Sequence, residues 1–144
     1  MRLAALLSIA ALVNAPCLLA GDIDGSLGSV EPDLTSPPAT AHAPAPGKRV
    51  RQVNKNYATT QVRHLLYLPT DWVKGKKYPV IVEYVGNQYK SSPGTVEGSN
   101  LSYGISGGKG VIWLCLPFIS KDHSRNEVTW WGDVDASVDY CKQT

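Results

Sequence analysis

Pro79-Val80-Ile81-Val82-Glu83-Tyr84-Val85 and Val111-Ile112-Trp113-Leu114-Cys115-Leu116-Pro117-Phe118-Ile119 decide the fold. Both runs are short, apolar and rich in β-branched and aromatic residues, so each reads as a strand. Neither alternates strictly between apolar and polar residues. Such continuous runs suit strands buried on both faces, as in parallel sheets covered by helices. Gly86-Asn87 ends the first run, and the 25 residues from Gly86 to Gly110 are long enough for a crossover to the second. That connection is glycine-rich, so any helix inside it should be short.

Before this pair, Tyr57 to Leu68 carries β-branched and aromatic residues. Val62, His64, Leu66 and Leu68 share one face of an extended strand whose other side is wetter. Pro69-Thr70-Asp71 stops it, and Trp72 begins a connection ending in the polar turn Gly75-Lys76-Lys77. After the pair, Asp133 to Thr144 reads as a helix. Val134, Val138 and Cys141 recur at helical spacing, Asp133 can cap, Asp135 suits the first turn and Lys142 the last. The order strand, strand, crossover, strand, helix predicts an α/β sheet of about three strands with one or two helices.

The first 56 residues read differently. All twelve aromatic residues lie between Tyr57 and Tyr140, while six of the ten prolines fall at or before Pro46. Met1-Arg2 followed by the apolar run Leu3–Val13 has the charge and length of a signal peptide, too short for a bilayer span of about 20 residues. Cleavage is expected after Ala15 or Ala20, with Ala20 favoured because the alternative leaves Pro16 at the new terminus. Residues 21–56 read as a disordered Pro/Ala-rich linker, with Lys48-Arg49-Val50-Arg51 and Lys55 as a solvated basic junction. The organisation is therefore signal peptide 1–20, linker 21–56 and a folding segment 57–144. Location is expected to be secreted or periplasmic, with no stable membrane span once the signal is removed. With 14 basic against 12 acidic residues, nothing points to nucleic acid. Cys115 and Cys141 could pair or remain buried thiols. No cofactor is expected, and no Cys or His spacing suggests a metal.

Two motif matches fail on context. Gly104-Ile105-Ser106-Gly107-Gly108 fits G-x-S-x-G, whose chemistry needs a strand before the serine and a helix after it; here a polar loop precedes and a strand follows. Gly104 to Lys109 is one residue short of a phosphate loop, and Gly110 stands where Ser or Thr is required. Asn100-Leu101-Ser102 is a glycosylation sequon, meaningful only in a eukaryotic secretory pathway. Asp133, Asp135 and Asp139 read as helix capping and solvated charge. His64 reads as a packed strand histidine, and His123 has no evident partner.

Tyr67-Leu68-Pro69, then Tyr78-Pro79-Val80-Ile81-Val82-Glu83-Tyr84-Val85-Gly86-Asn87, then Val111 to Phe118, resembles the N-terminal part of the α/β-hydrolase superfamily. The likeness is to exported bacterial members related to esterases and prolyl-oligopeptidase-type peptidases, and it covers residues 57–144. In that family the turn after the second of these strands gives a backbone N–H to the oxyanion hole. The resemblance therefore implies Gly86 and Asn87 as oxyanion-hole candidates, although Glu-Tyr-Val-Gly-Asn replaces the family's His-Gly-Gly. Val134 to Lys142 matches the helix before the nucleophile strand. Nucleophile, acid and histidine would all follow that helix, so no catalytic residue is assigned. The expectation is a truncated hydrolase, inactive as it stands, whose intact relatives cleave a small-molecule or polymer ester or peptide substrate through an acyl-serine. The competing expectation is a secreted non-catalytic module binding carbohydrate or protein through Trp72, Trp130 and Trp131.

Overall fold

Val80–Tyr84 (β4) and Ile112–Leu116 (β5) pair in parallel, Val80 opposite Ile112 and Tyr84 opposite Leu116. The crossover between them carries a 3-10 turn, Val96–Gly98, and a six-residue helix, Leu101–Ser106 (α1). These elements belong to a computed structural model that describes residues 34–129 and 131–144. The signal peptide, linker residues 21–33 and Trp130 lie outside the described residues.

The sheet has five strands rather than three. Ala39–Thr40 (β1), Arg49–Gln52 (β2) and His64–Tyr67 (β3) complete the order β1-β2-β3-β5-β4. The β1–β2 pair is parallel, but β2–β3 and β3–β5 are antiparallel, so the sheet is mixed. The protein is thus a mixed α/β structure. The strand at 49–52 corrects the reading of this stretch as linker and solvated junction. Val50 is fully buried, and Arg49 is buried with it. The Arg49 guanidinium donates to the carbonyls of Val96 (2.6 Å) and Ser99 (2.8 Å) and lies over the Trp113 ring, 4.6 Å from its centroid. Carbonyl bonds and an aromatic face offset part of the cost of burying that charge.

The strand read over Tyr57–Leu68 contracts to four residues. Upstream of it, Gln61 N–H donates to Ser124 O (2.8 Å) and Arg63 N–H to the Asn126 side chain Oδ1 (2.9 Å), which ties 61–63 to the segment 124–126 instead of the five-stranded sheet. Nor does β3 have a wet side, since Leu65 and Tyr67 are as buried as Val62 and His64. The run Val111–Ile119 also divides. Pro117 has no N–H for the ladder, and the chain leaves β5 to form Phe118–Ile119 (β6), paired with Asn126–Glu127 (β7) in a separate two-stranded sheet.

Register assigns the faces. Leu65, Tyr67, Trp113, Cys115 and Val85 turn to the side covered by the crossover, where Val96 and Tyr103 close a core. The opposite side meets Val134–Gln143 (α2), whose Tyr140 packs with Leu116, Ile119 and Val62. Asp133 caps α2 as expected, its Oδ1 accepting from Ala136 N–H at 2.9 Å. Cys115 and Cys141 are both free thiols. They belong to cores on opposite sides of the sheet, which explains why they do not pair. Among the described residues, no helix is long and apolar enough to cross a membrane.

Candidate functional site

The parallel pair β4–β5 fixes where a site can form. In open α/β sheets, ligands bind beyond the C-terminal ends of the strands, and the chain leaving β4 there is Val85-Gly86-Asn87-Gln88. Val85 N–H donates to Leu116 O (3.2 Å) and Gln88 N–H to Val128 O (2.7 Å). Between these anchors, the N–H groups of Gly86 and Asn87 donate to no described residue. Backbone donors are rarely left unused away from solvent, and here both sit at the surface, Gly86 exposed and Asn87 partly so.

Two recesses meet at Gly86. One is an apolar slot of about 160 Å³ lined by Val85, Gly86, Asn87, Phe118 and Trp131. The other is polar, about 310 Å³, and includes Ser92, Thr95, Ser99 and Asn100. The crossover that walls the polar recess is pinned from below by Glu83. Its buried carboxylate accepts from the hydroxyls of Ser99 and Ser102, the latter at 2.9 Å. Gly94 holds the turn close: with φ +66°, a Cβ there would stand 2.4 Å from Gln88 N and 2.6 Å from Val128 O.

Trp131 reaches the slot through a backbone that few residues adopt. Its φ is +63°, and Gly132 follows at +41°. A Cβ on Gly132 would lie 2.0 Å from Ile119 O, the atom that accepts from Asp133 N–H at 2.7 Å. Gly132→Ala is therefore expected to cost about 2 kcal/mol or more, combining backbone strain with loss of this bond. Thermal unfolding checks the cost, and the emission of the half-exposed Trp131 should change with it. An unchanged melting temperature would refute the close approach.

Of the aromatic candidates, Trp131 is in the slot, Trp72 lies beyond β3 at the other end of the sheet, and Trp130 is outside the described residues. Phe118, not singled out from sequence, completes the slot because Pro117 turns the chain after β5. Ser106 ends α1, and its hydroxyl accepts from Gly108 N–H (3.2 Å). Among the described residues, no serine hydroxyl is hydrogen-bonded to an imidazole. His64 contacts Tyr140 Oη (2.9 Å), and His123 Nε2 meets Asp133 Oδ2 (2.8 Å).

The pairing of His123 with Asp133 was not legible in the sequence. It depends on a left-handed φ of +57° at His123 that swings the ring back to the helix cap. The N–H of Ala136 and the His123 ring hold the Asp133 carboxyl below its ordinary pKa. This pair lines an open recess of about 500 Å³ with Tyr57, Thr60, Asp135 and Asp139. Two of the carboxylates near His123 beyond Asp133 have local partners, Asp139 in this recess and Asp122 in a neighbouring one. Asp139 binds Lys142 (2.9 Å), and Asp122, held down to about 2, accepts from Ser120 and Ser124. Among the described residues, no group of three or more His, Cys, Asp or Glu is placed to hold a metal ion.

Comparison with protein-family models, curated proteins and solved structures gives no match to the chain.

Proposed function

We propose that the chain forms the front part of an exported serine hydrolase of the α/β-hydrolase type, in which Gly86 and Asn87 supply oxyanion-hole donors. The observation that carries this reading is the pair of N–H groups at the C-terminal end of β4, without a partner among the described residues and beside an apolar slot. Donors fixed by the backbone and not spent on the protein can stabilise negative charge developing on a carbonyl oxygen. The slot takes the apolar part of an ester or peptide substrate. A tetrahedral intermediate formed by serine attack would place its oxyanion at Gly86 and Asn87 and its side group against Phe118 and Trp131.

The nucleophile, acid and histidine are not assigned among the described residues. Among those residues, β4 is the outer strand of the sheet. A further parallel strand on this edge would lie about 4.8 Å away, so a serine at its C-terminal end would stand beside Gly86. Val80, Val82, Val134 and Val138, all exposed, are apolar surface that such an addition would cover.

The test is a titration of the ¹⁵N-labelled chain with an alkyl phosphonate monoester, a tetrahedral anion carrying an apolar tail. Gly86 and Asn87 amide resonances are expected to shift together with the Trp131 indole. Gly86→Pro removes one donor and should weaken binding several-fold. Shifts scattered over the lysines, with Gly86 and Asn87 still, would defeat the oxyanion role. The half-exposed Trp131 is the observation favouring the second reading, a module that stacks on carbohydrate. In that case an oligosaccharide shifts Trp131 and the phosphonate does not.

A further inference from the structure

The opposite end of the sheet carries a different surface. Because β3 runs antiparallel to both β2 and β5, the start of β2, the exit of β3 and the starts of β5 and β4 all lie at one end. Lys48 precedes β2, Lys109 precedes β5, and Lys74, Lys76 and Lys77 occupy the loop from β3 to β4. All five lysines are exposed. The one carboxylate among these segments is Asp71, whose Oδ1 is engaged by Gly110 N–H at 2.8 Å. This end alone carries net charge +4, against +2 for the whole chain.

The surface is held in shape. Thr70 N–H donates to Gly108 O (3.0 Å), tying the β3–β4 loop to the glycine turn before β5. Tyr78 Oη donates to Asp71 O and accepts from Val73 N–H (3.0 Å), closing that loop on itself. Lys76 Nζ stands 4.8 Å from the Tyr78 ring centroid. In the middle of the lysines, Val73 is 59% exposed. Four strands at about 4.8 Å spacing make this end roughly 14 Å wide.

We propose that this lysine-rich end is a docking surface for an anionic lipid bilayer. Each lysine near such a surface gains on the order of 1 kcal/mol from its negative potential, and Val73 gains by leaving water for the headgroup boundary. Lysines act as point charges, without the planar guanidinium fork that reads bases or stacks on them. The rings at this end, Trp72 and Tyr78, are both half-buried, with Lys76 over Tyr78; amphipathic rings beside lysines suit the headgroup boundary of a bilayer. Docked this way, the Gly86–Trp131 end faces away from the bilayer, and substrate reaches it from water.

The experiment is co-sedimentation of the full chain with vesicles of phosphatidylcholine alone and of phosphatidylcholine with about one third phosphatidylglycerol. Binding through the N-terminal run with Met1-Arg2 is common to the parent chain and both variants, so the change in the difference between the two vesicle types on substitution reads the lysines. That difference is expected to be large at low salt and to collapse near 0.5 M salt, where screening is short-ranged. K74Q/K76Q/K77Q should lower it on the order of 100-fold. K55Q/K90Q/K121Q removes the same charge elsewhere on the surface and should change it only a few-fold. Equal losses in the two variants, or no preference for anionic vesicles, would overturn the proposal. So would lysine-dependent binding to duplex DNA without binding to vesicles.

Discussion

Trp113→Ala is expected to remove about 3–5 kcal/mol of stability, a large share of the 5–15 kcal/mol that holds a typical domain together. Trp113, the second residue of β5, is 2% exposed and packs against Tyr67 at 6.4 Å between ring centroids. Its loss opens a cavity under the crossover and strips the aromatic face from the buried Arg49 guanidinium. Trp113→Phe separates these contributions from a third. Among the described residues the buried indole Nε1–H has no hydrogen-bond partner, nor does Arg49 Nε–H, and an orphaned buried donor costs about 1–3 kcal/mol. Phenylalanine leaves a smaller void, keeps a ring beneath Arg49 and deletes the orphan. Its net loss should therefore stay within about 1 kcal/mol. Urea midpoints of the two variants measure the contrast. If Phe is as damaging as Ala, indole shape rather than ring presence governs this core.

What the sequence made legible follows from how local each signal is. The strands at Val80–Tyr84 and Ile112–Leu116 were readable because an unbroken apolar run needs no partner to declare itself. The helix at Val134–Gln143 was readable through its Asp133 cap and its charges, all within one segment. Strand Arg49–Gln52 was not. It is four residues long, half of them arginine, and the carbonyls that make Arg49 tolerable in the interior lie 47 and 50 residues away. No local window contains both the charge and its compensation.

The candidate site divides the same way. Gly86-Asn87 stood out as small residues ending an apolar strand, and the structure adds that their N–H groups donate to no described residue. The slot beside them could not be read, because it needs Phe118 and Trp131 folded back from two different turns. His123 and Asp133 are ten residues apart on a loop and a helix cap, joined only through a positive φ that sequence does not announce.

Acidification is expected to weaken the fold between pH 6.5 and 4, ahead of ordinary carboxylate titration, and His64 is the cause. Burial pushes its pKa from 6.5 down to about 4. The side chain sits at the edge of β3 with Tyr140 Oη at 2.9 Å and the Tyr140 ring edge-on, centroids 5.6 Å apart. Tyr57 packs on Tyr140, and Asn54 Nδ2 donates to Tyr140 O, so the groups around this contact are neutral in that range. Above pH 6.5 the imidazole is uncharged in folded and unfolded chains alike, and the full stability is present. Below it the unfolded chain takes up a proton that the folded chain refuses, so stability falls until pH reaches about 4. A shift of that size corresponds to about 3 kcal/mol, at 1.36 kcal/mol per pKa unit. Asp133, Glu97 and Asp122 have pKa values lowered by their hydrogen bonds, so their losses belong to lower pH. Because Tyr140 anchors α2 to the sheet, amide exchange should accelerate in Val134–Gln143 before it does in β5. Urea unfolding from pH 7.5 to 4 tests the magnitude, with His64→Leu as the comparison that cannot titrate. A variant curve that falls as steeply as the parent's would assign the acid sensitivity to other groups.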